Sequence, residues 1–321
     1  MKRRTFIAGL GSAAAWPVVA RAQRGEQVRR VGVLSFGGAF TREILPVFRG
    51  DLQKLGWIVG RNLQIDVRLS DGNLQRVSTN AAELVKLAPD VIVTTFGADL
   101  RAAQEKTKTI PIVFAGAGDP VTYGMLKNVA HPEGNITGFA SSFSLLGEKW
   151  LQLLKEVAPS LKRVAFLDLR GDRGYLPSVA SGARLLEMQL VVLPVSDVAE
   201  MKVEIEHFAA EPNGGLLTTP AVLPIGPFEV VRLAEQYRLP AICGRITYTA
   251  NGGLMSYESD VGERTHGAAA YVDRILRGAK VNELPVQYPT KFRLVINLKT
   301  AKALGLTIPE TLLATADEVI Q

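Results

Sequence analysis

The 321-residue sequence contains one cysteine, Cys243, and only three histidines. A single cysteine excludes a disulfide within the chain, and the apolar run 239–242 before it favours a buried, structural thiol. The histidines form no pattern typical of a zinc site or a Ser-His-Asp triad. Lipase, phosphate-loop and zinc-protease motifs are missing, and Gly116 and Gly118 begin a dinucleotide fingerprint that Val121 leaves incomplete. The sequence therefore predicts no catalytic residue, no metal ligand and no cofactor, and we expect that the protein is not an enzyme.

Long runs of like charge are also missing, although the formal net charge is +6. Lys2, Arg3, Arg4 and Arg21 supply four of these positive charges, and the segment 1–22 that holds them contains no acid. The rest of the chain is only weakly basic. This composition gives no reason to expect a nucleic-acid partner.

Residues 1–22 have the pattern of an export signal. Paired arginines precede the modestly apolar run 8–20, which ends in a small-residue cleavage pattern at Ala22. Glycine, serine and proline interrupt this run, so it is a poor candidate for the alternative, a helix that anchors the chain in a bilayer. We expect twin-arginine-type export, cleavage near Ala22 and a periplasmic location. Export of a chain that folds beforehand in a reducing cytoplasm agrees with the lack of disulfides.

The chain after the signal alternates between strand and helix patterns. The first half predicts strands at 31–36, 63–69, 90–95 and 111–115, and helices at 44–55, 74–88 and 98–106. Strands alternating with helices are typical of a parallel sheet covered on both faces.

The second half repeats this order. Residues 161–167 are similar to 28–34, 217–221 to 93–98, and 240–244 to 111–116. Buried strands resemble one another because valine, isoleucine and leucine suit parallel sheets, which is the alternative explanation. Three similarities in the same order favour two α/β lobes of similar construction.

Three chain crossings between the lobes are expected, near 135–140, 256–260 and 289–293. The predicted lobes comprise residues 28–142 with 258–292, and residues 143–257 with 293–321. Because no linker is long or of low complexity, these crossings form a hinge around which two lobes close on a ligand.

The candidate site follows from where open α/β sheets bind ligands, beyond the carboxyl ends of their strands. Small, polar and aromatic residues occupy these positions here. The candidate ligand-binding residues are Ser35, Phe36, Thr95, Gly97, Ala98 and Asp119 in the first lobe, and Thr219, Pro220, Arg245, Tyr248 and Tyr257 in the second. Hydroxyls and helix N-termini suit a ligand carboxylate, a carboxylate suits an ammonium, and aromatic rings cover an apolar side chain.

Several of these candidates also have structural interpretations. Asp119 precedes Pro120 and is equally a helix N-cap. Thr95 and Thr219 are alternative caps, and Arg245 is a candidate for an ion pair between the lobes. Phe36 and Tyr257 are alternatively core residues.

Four motifs carry a resemblance to a known family. They are Pro111-Ile-Val-Phe-Ala-Gly-Ala-Gly-Asp-Pro-Val121, His131-Pro-Glu-Gly-Asn-Ile-Thr-Gly138, Gly252-Gly-Leu-Met-Ser-Tyr257 and the long segment 289–306. Together they resemble the tryptophan/tyrosine-type substrate-binding proteins of ABC transporters, over nearly all of the chain after the signal.

The resemblance implies a type I periplasmic binding protein fold: two Rossmann-like lobes with parallel sheets, joined by a three-crossing hinge. It also implies a monomer that captures a small solute, an amino acid or related carboxylate, and delivers it to an inner-membrane ABC permease with its ATPase. The segment after Tyr257 departs from the family pattern: it reads Glu258-Ser259-Asp260 where many relatives have a Gly-Pro pair, so we expect a different local geometry of the hinge. The alternatives are a periplasmic sensor or accessory protein for a membrane kinase, which uses the same cleft, and an exported enzyme, which needs a nucleophile and base that the sequence lacks.

Overall fold

The computed structural model describes residues 28–121, 124–141, 146–170 and 174–321. The predicted export signal, residues 1–22, lies outside these ranges. Within them, no helix combines the length and the apolar character that crossing a membrane requires.

The first sheet contains five parallel strands in the order β2-β1-β3-β4-β5. They are β1 (Arg29–Ser35), β2 (Leu63–Leu69), β3 (Val91–Thr94), β4 (Ile112–Ala115) and β5 (Ile136–Phe139), and they alternate with α1 (Gly38–Lys54), α2 (Leu74–Lys86) and α3 (Gly97–Lys106). Val31, Val33 and Leu34 in β1 are at most 2% exposed, because helices cover both faces of the sheet. The sequence pattern predicted that the first helix begins at residue 44, but α1 begins earlier, at Gly38.

The second sheet has seven strands in the order β12-β11-β10-β9-β8-β6-β7. The strands are β6 (Arg163–Leu169), β7 (Gln189–Val195), β8 (Gly214–Thr218), β9 (Ala241–Cys243), β10 (Met255–Ser259), β11 (Phe292–Asn297) and β12 (Glu318–Ile320). The helices associated with them are α4 (Leu146–Val157), α5 (Leu176–Leu185), α6 (Val198–Ala209), α7 (Pro227–Gln236), α8 (Ile246–Ala250), α10 (Leu298–Ala303) and α11 (Glu310–Thr315). We call each sheet with its helices a lobe.

Helix α9 (Val261–Leu276) belongs to the first lobe although β10 before it belongs to the second. It packs against α1 and β4. The chain leaves the second sheet at the end of β10 and re-enters it at the start of β11, so these two strands pair antiparallel, with Ser259 opposite Phe292. All other pairs in the two sheets are parallel.

The chain therefore passes between the lobes after β5, after β10 and before β11. The expected architecture of two α/β lobes is confirmed, with one correction: the segment 135–140 is not itself a crossing but supplies the edge strand β5, paired with β4. The predicted lobe boundaries, 28–142 with 258–292 and 143–257 with 293–321, fall close to these passages and stay a prediction.

The passages are hydrogen-bonded to one another. Ser259 Oγ donates to the carbonyl oxygen of Ser141 at 2.8 Å, which joins the first and second passages. Asp260 N donates to the carbonyl oxygen of Lys291 at 3.0 Å, which joins the second and third. A motion of one lobe relative to the other would therefore involve all three segments together.

Cys243 ends β9 and is fully buried, as the apolar run before it predicted. Burial raises the pKa of its thiol, because the thiolate would lose its hydration. Cys243 is therefore an inert packing residue.

Candidate functional site

A cavity lies between the lobes, where the carboxyl ends of their central strands face each other. Thr95 and Gly116 follow β3 and β4 in the first lobe, and Pro220 and Gly244 lie beyond β8 and β9 in the second. The enclosed space between them is about 20 Å³. That is room for about one water molecule, so the lobes have to move apart to admit a small-molecule ligand at this place.

A network of hydroxyl groups supports the first-lobe side of the cavity. Thr95 Oγ1 lies 2.7 Å from Ser35 Oγ, which Thr41 Oγ1 also contacts. Thr95 also donates to Asp99 Oδ2 at 3.4 Å, and the same oxygen accepts from Phe96 N at 3.0 Å, which caps the start of α3. Thr95 reaches the cavity while its partners lie behind it.

Asp99 is fully buried at the base of this network. Loss of hydration raises the pKa of its carboxyl group to about 7, although the backbone N–H groups of Phe36, Phe96 and Thr95 oppose the shift. The first lobe therefore contains a carboxyl group that titrates near neutral pH just behind the cavity wall.

The second lobe has a similar but simpler arrangement. Thr219 Oγ1 donates to Asp168 Oδ1 at 3.2 Å, and Thr219 is 0% exposed. Pro220 comes next in the chain and lines the cavity. The hydroxyl group of Thr219 thus makes a bond inside its own lobe.

Aromatic side chains form much of the remaining wall. The rings of Trp150 and Tyr175 lie 5.0 Å apart between centroids, tilted by 39°. Trp150 Nε1 donates to the carbonyl oxygen of Tyr257 at 2.7 Å, so the indole is fixed. Phe96 lines the opposite side of the cavity and meets Phe36 edge-on at 6.2 Å. These rings provide an apolar surface for a ligand side chain.

Three charged side chains also line the cavity: Arg245, Glu258 and Arg264. Each is less than 9% exposed. Arg245 Nε lies 3.4 Å from Glu258 Oε2, which forms an ion pair. Neither Glu258 Oε2 nor Arg264 Nε has a hydrogen-bond partner within the described ranges. Burial lowers the pKa of Arg264 to about 10, so this side chain remains charged at neutral pH.

Two glycines allow the backbone to approach these side chains. A Cβ atom at Gly116 would lie 3.1 Å from the carbonyl oxygen of Thr95 and 3.3 Å from Arg264 Nη1. A Cβ atom at Gly244 would lie 2.6 Å from the indole of Trp150. Larger residues at either position would displace the groups that shape the cavity.

The lobes also touch at the mouth of the cleft. Gly72 has a φ of +79°, and a Cβ atom there would lie 2.4 Å from the carbonyl oxygen of Pro224 in the opposite lobe. Gly37 approaches the ring of the same proline. Backbone-to-backbone contact across the mouth indicates a closed arrangement of the two lobes.

The structure brings only some of the sequence-predicted residues to the cavity. Thr95, Pro220 and Arg245 line it. Ser35, Phe36 and Thr219 are fully buried behind the wall, and Gly97 and Ala98 begin α3 next to Thr95. The interpretation of Arg245 as an ion-pair residue agrees with its contact to Glu258, although both residues lie on the second-lobe side of the hinge.

Asp119, Tyr248 and Tyr257 have other contacts. Asp119 Oδ1 accepts from Val121 N at 3.1 Å and from Tyr288 Oη at 2.9 Å, in a turn rather than at the start of a regular helix. Tyr248 is 1% exposed and packs beneath Gly253. The ring of Tyr257 stacks on Phe292 at 5.4 Å, so it is part of the second-lobe packing.

Sequence reasoning missed Trp150, Tyr175 and Arg264, because it considered only the turns that follow strands. Glu258 was noted only as a departure from the family pattern. One signal for Arg264 was available: it lies on the buried stripe of α9, four residues before Ala268 and eight before Val272. A charged residue on an otherwise apolar helix face indicates either a partner in the chain or a ligand.

Comparisons with known proteins agree with this architecture. Residues 42–320 match the family described as ABC transporter substrate binding protein. A tyrosine-binding protein of Clostridioides difficile is 23% identical over 258 residues, which cover 79% of this chain and 74% of that protein.

Two solved structures are similar over almost the whole chain. A conserved domain protein from Vibrio cholerae has a TM-score of 0.84 and 26% identity, covering 91% of this chain and 100% of that one. An ABC domain from Streptococcus pneumoniae in complex with L-Trp has a TM-score of 0.84 and 23% identity, covering 92% and 100%.

Proposed function

Because the chain belongs to the ABC transporter substrate-binding protein family, whose members bind substrates rather than transform them, we propose that it captures an amino acid or related carboxylate between its lobes for import. The observation that carries the proposal is the cavity between the lobes. Its wall combines the aromatic rings of Trp150 and Tyr175 with the charged groups of Arg245, Glu258 and Arg264. A wall of this composition suits a small molecule that has both ionic groups and an apolar side chain.

Aromatic amino acids are the first candidates. The named relatives support this choice, since one is called tyrosine-binding and another was solved with L-Trp. Offset and edge-to-face contacts with the rings of Trp150, Tyr175 and Phe96 would favour an aromatic side chain over a short aliphatic one.

Capture requires that the lobes open and close. The three hydrogen-bonded passages after β5, after β10 and before β11 are the segments around which we expect the rotation. A ligand that contacts both lobes binds the closed form better, so it shifts an existing equilibrium toward closure. The closed form would then dock on an inner-membrane permease that works with its ATPase. The place of this cycle is the periplasm, after removal of the signal near Ala22.

Ligand-dependent melting temperature tests the binding proposal. The chain from residue 23 onward is expressed, unfolded and refolded to remove bound solute, and then heated with each amino acid, with aromatic acids, with sugars and with oligopeptides. A ligand at about 100 times its Kd adds about 2.7 kcal/mol of stability. We expect a clear rise in melting temperature with one or more amino acids and none with sugars. A rise confined to sugars or oligopeptides would refute the proposed ligand class.

Uptake in cells tests the import role. Deleting the gene should abolish high-affinity uptake of the radiolabelled amino acid that stabilises the protein, and a plasmid copy should restore it. Normal uptake in the deletion strain, together with binding in vitro, would favour the sensor alternative.

A further inference from the structure

Arg264 is a buried cation that makes no hydrogen bond at Nε and no close ion pair in the described part of the chain. Its residue is 6% exposed, its Nε makes no hydrogen bond within the described ranges, and it takes part in no ion pair among the described residues. Glu258 attracts this guanidinium group and Arg245 repels it, and burial without hydrogen bonds is costly to a charge that the chain compensates only in part. A group of this kind at a cavity wall indicates that its partner comes from outside the chain.

The position of Arg264 is fixed from two sides. It is the fourth residue of α9, whose first turn is capped by Asp260, which accepts from Glu263 N at 3.0 Å. A Cβ atom at Gly116 would lie 3.3 Å from its Nη1, so the guanidinium group packs closely against the backbone of that glycine. The guanidinium group therefore lies at the cavity wall between the start of α9 and Gly116.

Glu258, like Arg264, has a buried side-chain atom without a hydrogen-bond partner in the described part of the chain. Its residue is 5% exposed, and its Oε2 accepts no hydrogen bond within the described part of the chain, although Arg245 Nε lies 3.4 Å away. This carboxylate is partly neutralised by Arg245 but has capacity to accept a further donor. The cavity wall thus carries two arginines and one glutamate, an excess of one positive charge.

Resting on the proposed function, we infer that Arg264 binds the α-carboxylate of the amino-acid ligand and that Glu258 accepts from its α-ammonium group. The planar guanidinium matches a carboxylate through two parallel N–H···O bonds. The excess positive charge of the wall favours a ligand that brings a carboxylate. A neutral sugar would leave Arg264 without an anion, so we expect sugars to bind more weakly than amino acids.

Truncated ligands separate the two contacts. Tyramine is L-tyrosine without the carboxylate, and 3-(4-hydroxyphenyl)propionate is L-tyrosine without the ammonium. If another amino acid gives the largest rise in melting temperature, that amino acid replaces L-tyrosine, with its own amine and its own deaminated acid. Titration calorimetry measures the affinity of each ligand for the parent protein and for Arg264→Met and Glu258→Gln.

For Arg264→Met we expect a loss of at least about 100-fold for L-tyrosine and no loss for tyramine, which cannot make the removed contact and no longer faces a like charge. For Glu258→Gln we expect a loss of about 10-fold for L-tyrosine and no loss for 3-(4-hydroxyphenyl)propionate, which lacks the ammonium group. Arg264→Lys keeps the charge but loses the planar fork, so its affinity for L-tyrosine should fall between those of the parent and Arg264→Met.

The outcomes distinguish this assignment from the proposed function. If the parent binds no amino acid, the proposed function is wrong and the assignment fails with it. If the parent binds L-tyrosine and Arg264→Met binds it equally well, only the assignment is wrong. Equal losses of L-tyrosine and tyramine in Arg264→Met would reveal a structural role instead. Melting of each unliganded variant checks its fold, and Arg264→Lys replaces Arg264→Met if the latter does not fold.

Discussion

Arg163 and Arg264 are both largely removed from solvent, but they lie in different regions of the molecule. Arg163 begins β6, at the end of the second sheet away from the cavity, whereas Arg264 lies at the cavity wall. Both have a buried Nε without a hydrogen-bond partner within the described ranges. The difference is in the rest of the guanidinium group.

Arg163 Nη1 donates to the carbonyl oxygens of Phe208 at 3.3 Å and Glu211 at 3.1 Å, and its guanidinium lies 4.4 Å from the Phe208 ring centroid. Arg264 has no comparable set of contacts among the described residues. The same residue type is thus stabilising in one region and incompletely partnered in the other. The contrast indicates that the acceptor for the Arg264 guanidinium group comes from a ligand in the cavity.

The largest expected effect is on the stability of the unliganded protein. Arg163→Met should lower the free energy of unfolding by about 2 kcal/mol, because two charged hydrogen bonds and a cation–π contact are lost. Arg264→Met should leave it unchanged or raise it by about 1 kcal/mol, because an apolar side chain replaces a poorly partnered buried charge. Urea unfolding of both variants measures the difference. A loss of stability in Arg264→Met as large as in Arg163→Met would show that Arg264, like Arg163, stabilises the unliganded fold.

A pair of glycines extends the comparison to the backbone. Gly116 has a φ of +120° and borders Arg264, whereas Gly278 has a φ of +103° and open space where a side chain would begin. Both Gly116→Ala and Gly278→Ala should lose about 1 kcal/mol of stability from the left-handed backbone. Only Gly116→Ala should also weaken ligand binding, by about tenfold, since it displaces the guanidinium.

Titration calorimetry with the stabilising amino acid measures both glycine variants. Similar affinities for Gly116→Ala and Gly278→Ala would show that the position of Arg264 relative to Gly116 does not matter for binding.

A second pair of glycines tests the closed arrangement. Gly72 has a φ of +79° and contacts Pro224 across the mouth, whereas Gly60 has a φ of +86° and open space around it. Gly72→Ala should weaken binding about threefold to tenfold relative to Gly60→Ala, because the added methyl group opposes closure. Small-angle scattering should show a more open protein at saturating ligand for Gly72→Ala. Equal affinity and equal size in the two variants would contradict a role for this contact.

The smallest effect is a pH dependence within the first lobe. The pKa of Asp99 is about 7 in the folded protein and 3.8 ordinarily, so between these values the folded protein holds a proton that the unfolded chain has released. The resulting stability is fully present below the ordinary pKa and is lost as the pH rises through 7. The free energy of unfolding should fall by about 1 kcal/mol between pH 6 and pH 8 from this group. Asp99→Asn should remove this part of the pH dependence of the free energy of unfolding. An unchanged pH dependence in the variant would show that Asp99 is not its source.

The sequence predicted the architecture because the physical signals are local. Val31, Val33 and Leu34 belong to a short apolar run that only a buried strand accommodates, and α9 shows a continuous helical period. The antiparallel direction of β11 could not be predicted from its own residues, because it depends on where the chain re-enters the second sheet. The segment 135–140 has a strand pattern, but its pairing with β4 as an edge strand, with the crossing after it, depends on the same long-range arrangement.

The candidate site was predicted in part. Turns after strands are a local signal, and they led to Thr95, Pro220 and Arg245 at the cavity wall. Arg264 and Trp150 reach the same cavity from helices α9 and α4. These helices come next to the cavity only because the chain passes between the lobes, which is not a local signal. The hydroxyl group of Thr219 shows the opposite error, since its position at a strand end was predicted correctly but its bond to Asp168 faces the interior of its own lobe.

The most direct test of ligand capture by Arg264 and Glu258 is a crystal structure of the protein with the amino acid that gives the largest rise in melting temperature. We expect closed lobes with the ligand between them, its carboxylate within about 3 Å of the Arg264 guanidinium nitrogens and its ammonium at Glu258 Oε2. A ligand bound elsewhere, or a ligand in the cavity whose carboxylate contacts other groups while Arg264 stays without an anion, would contradict it.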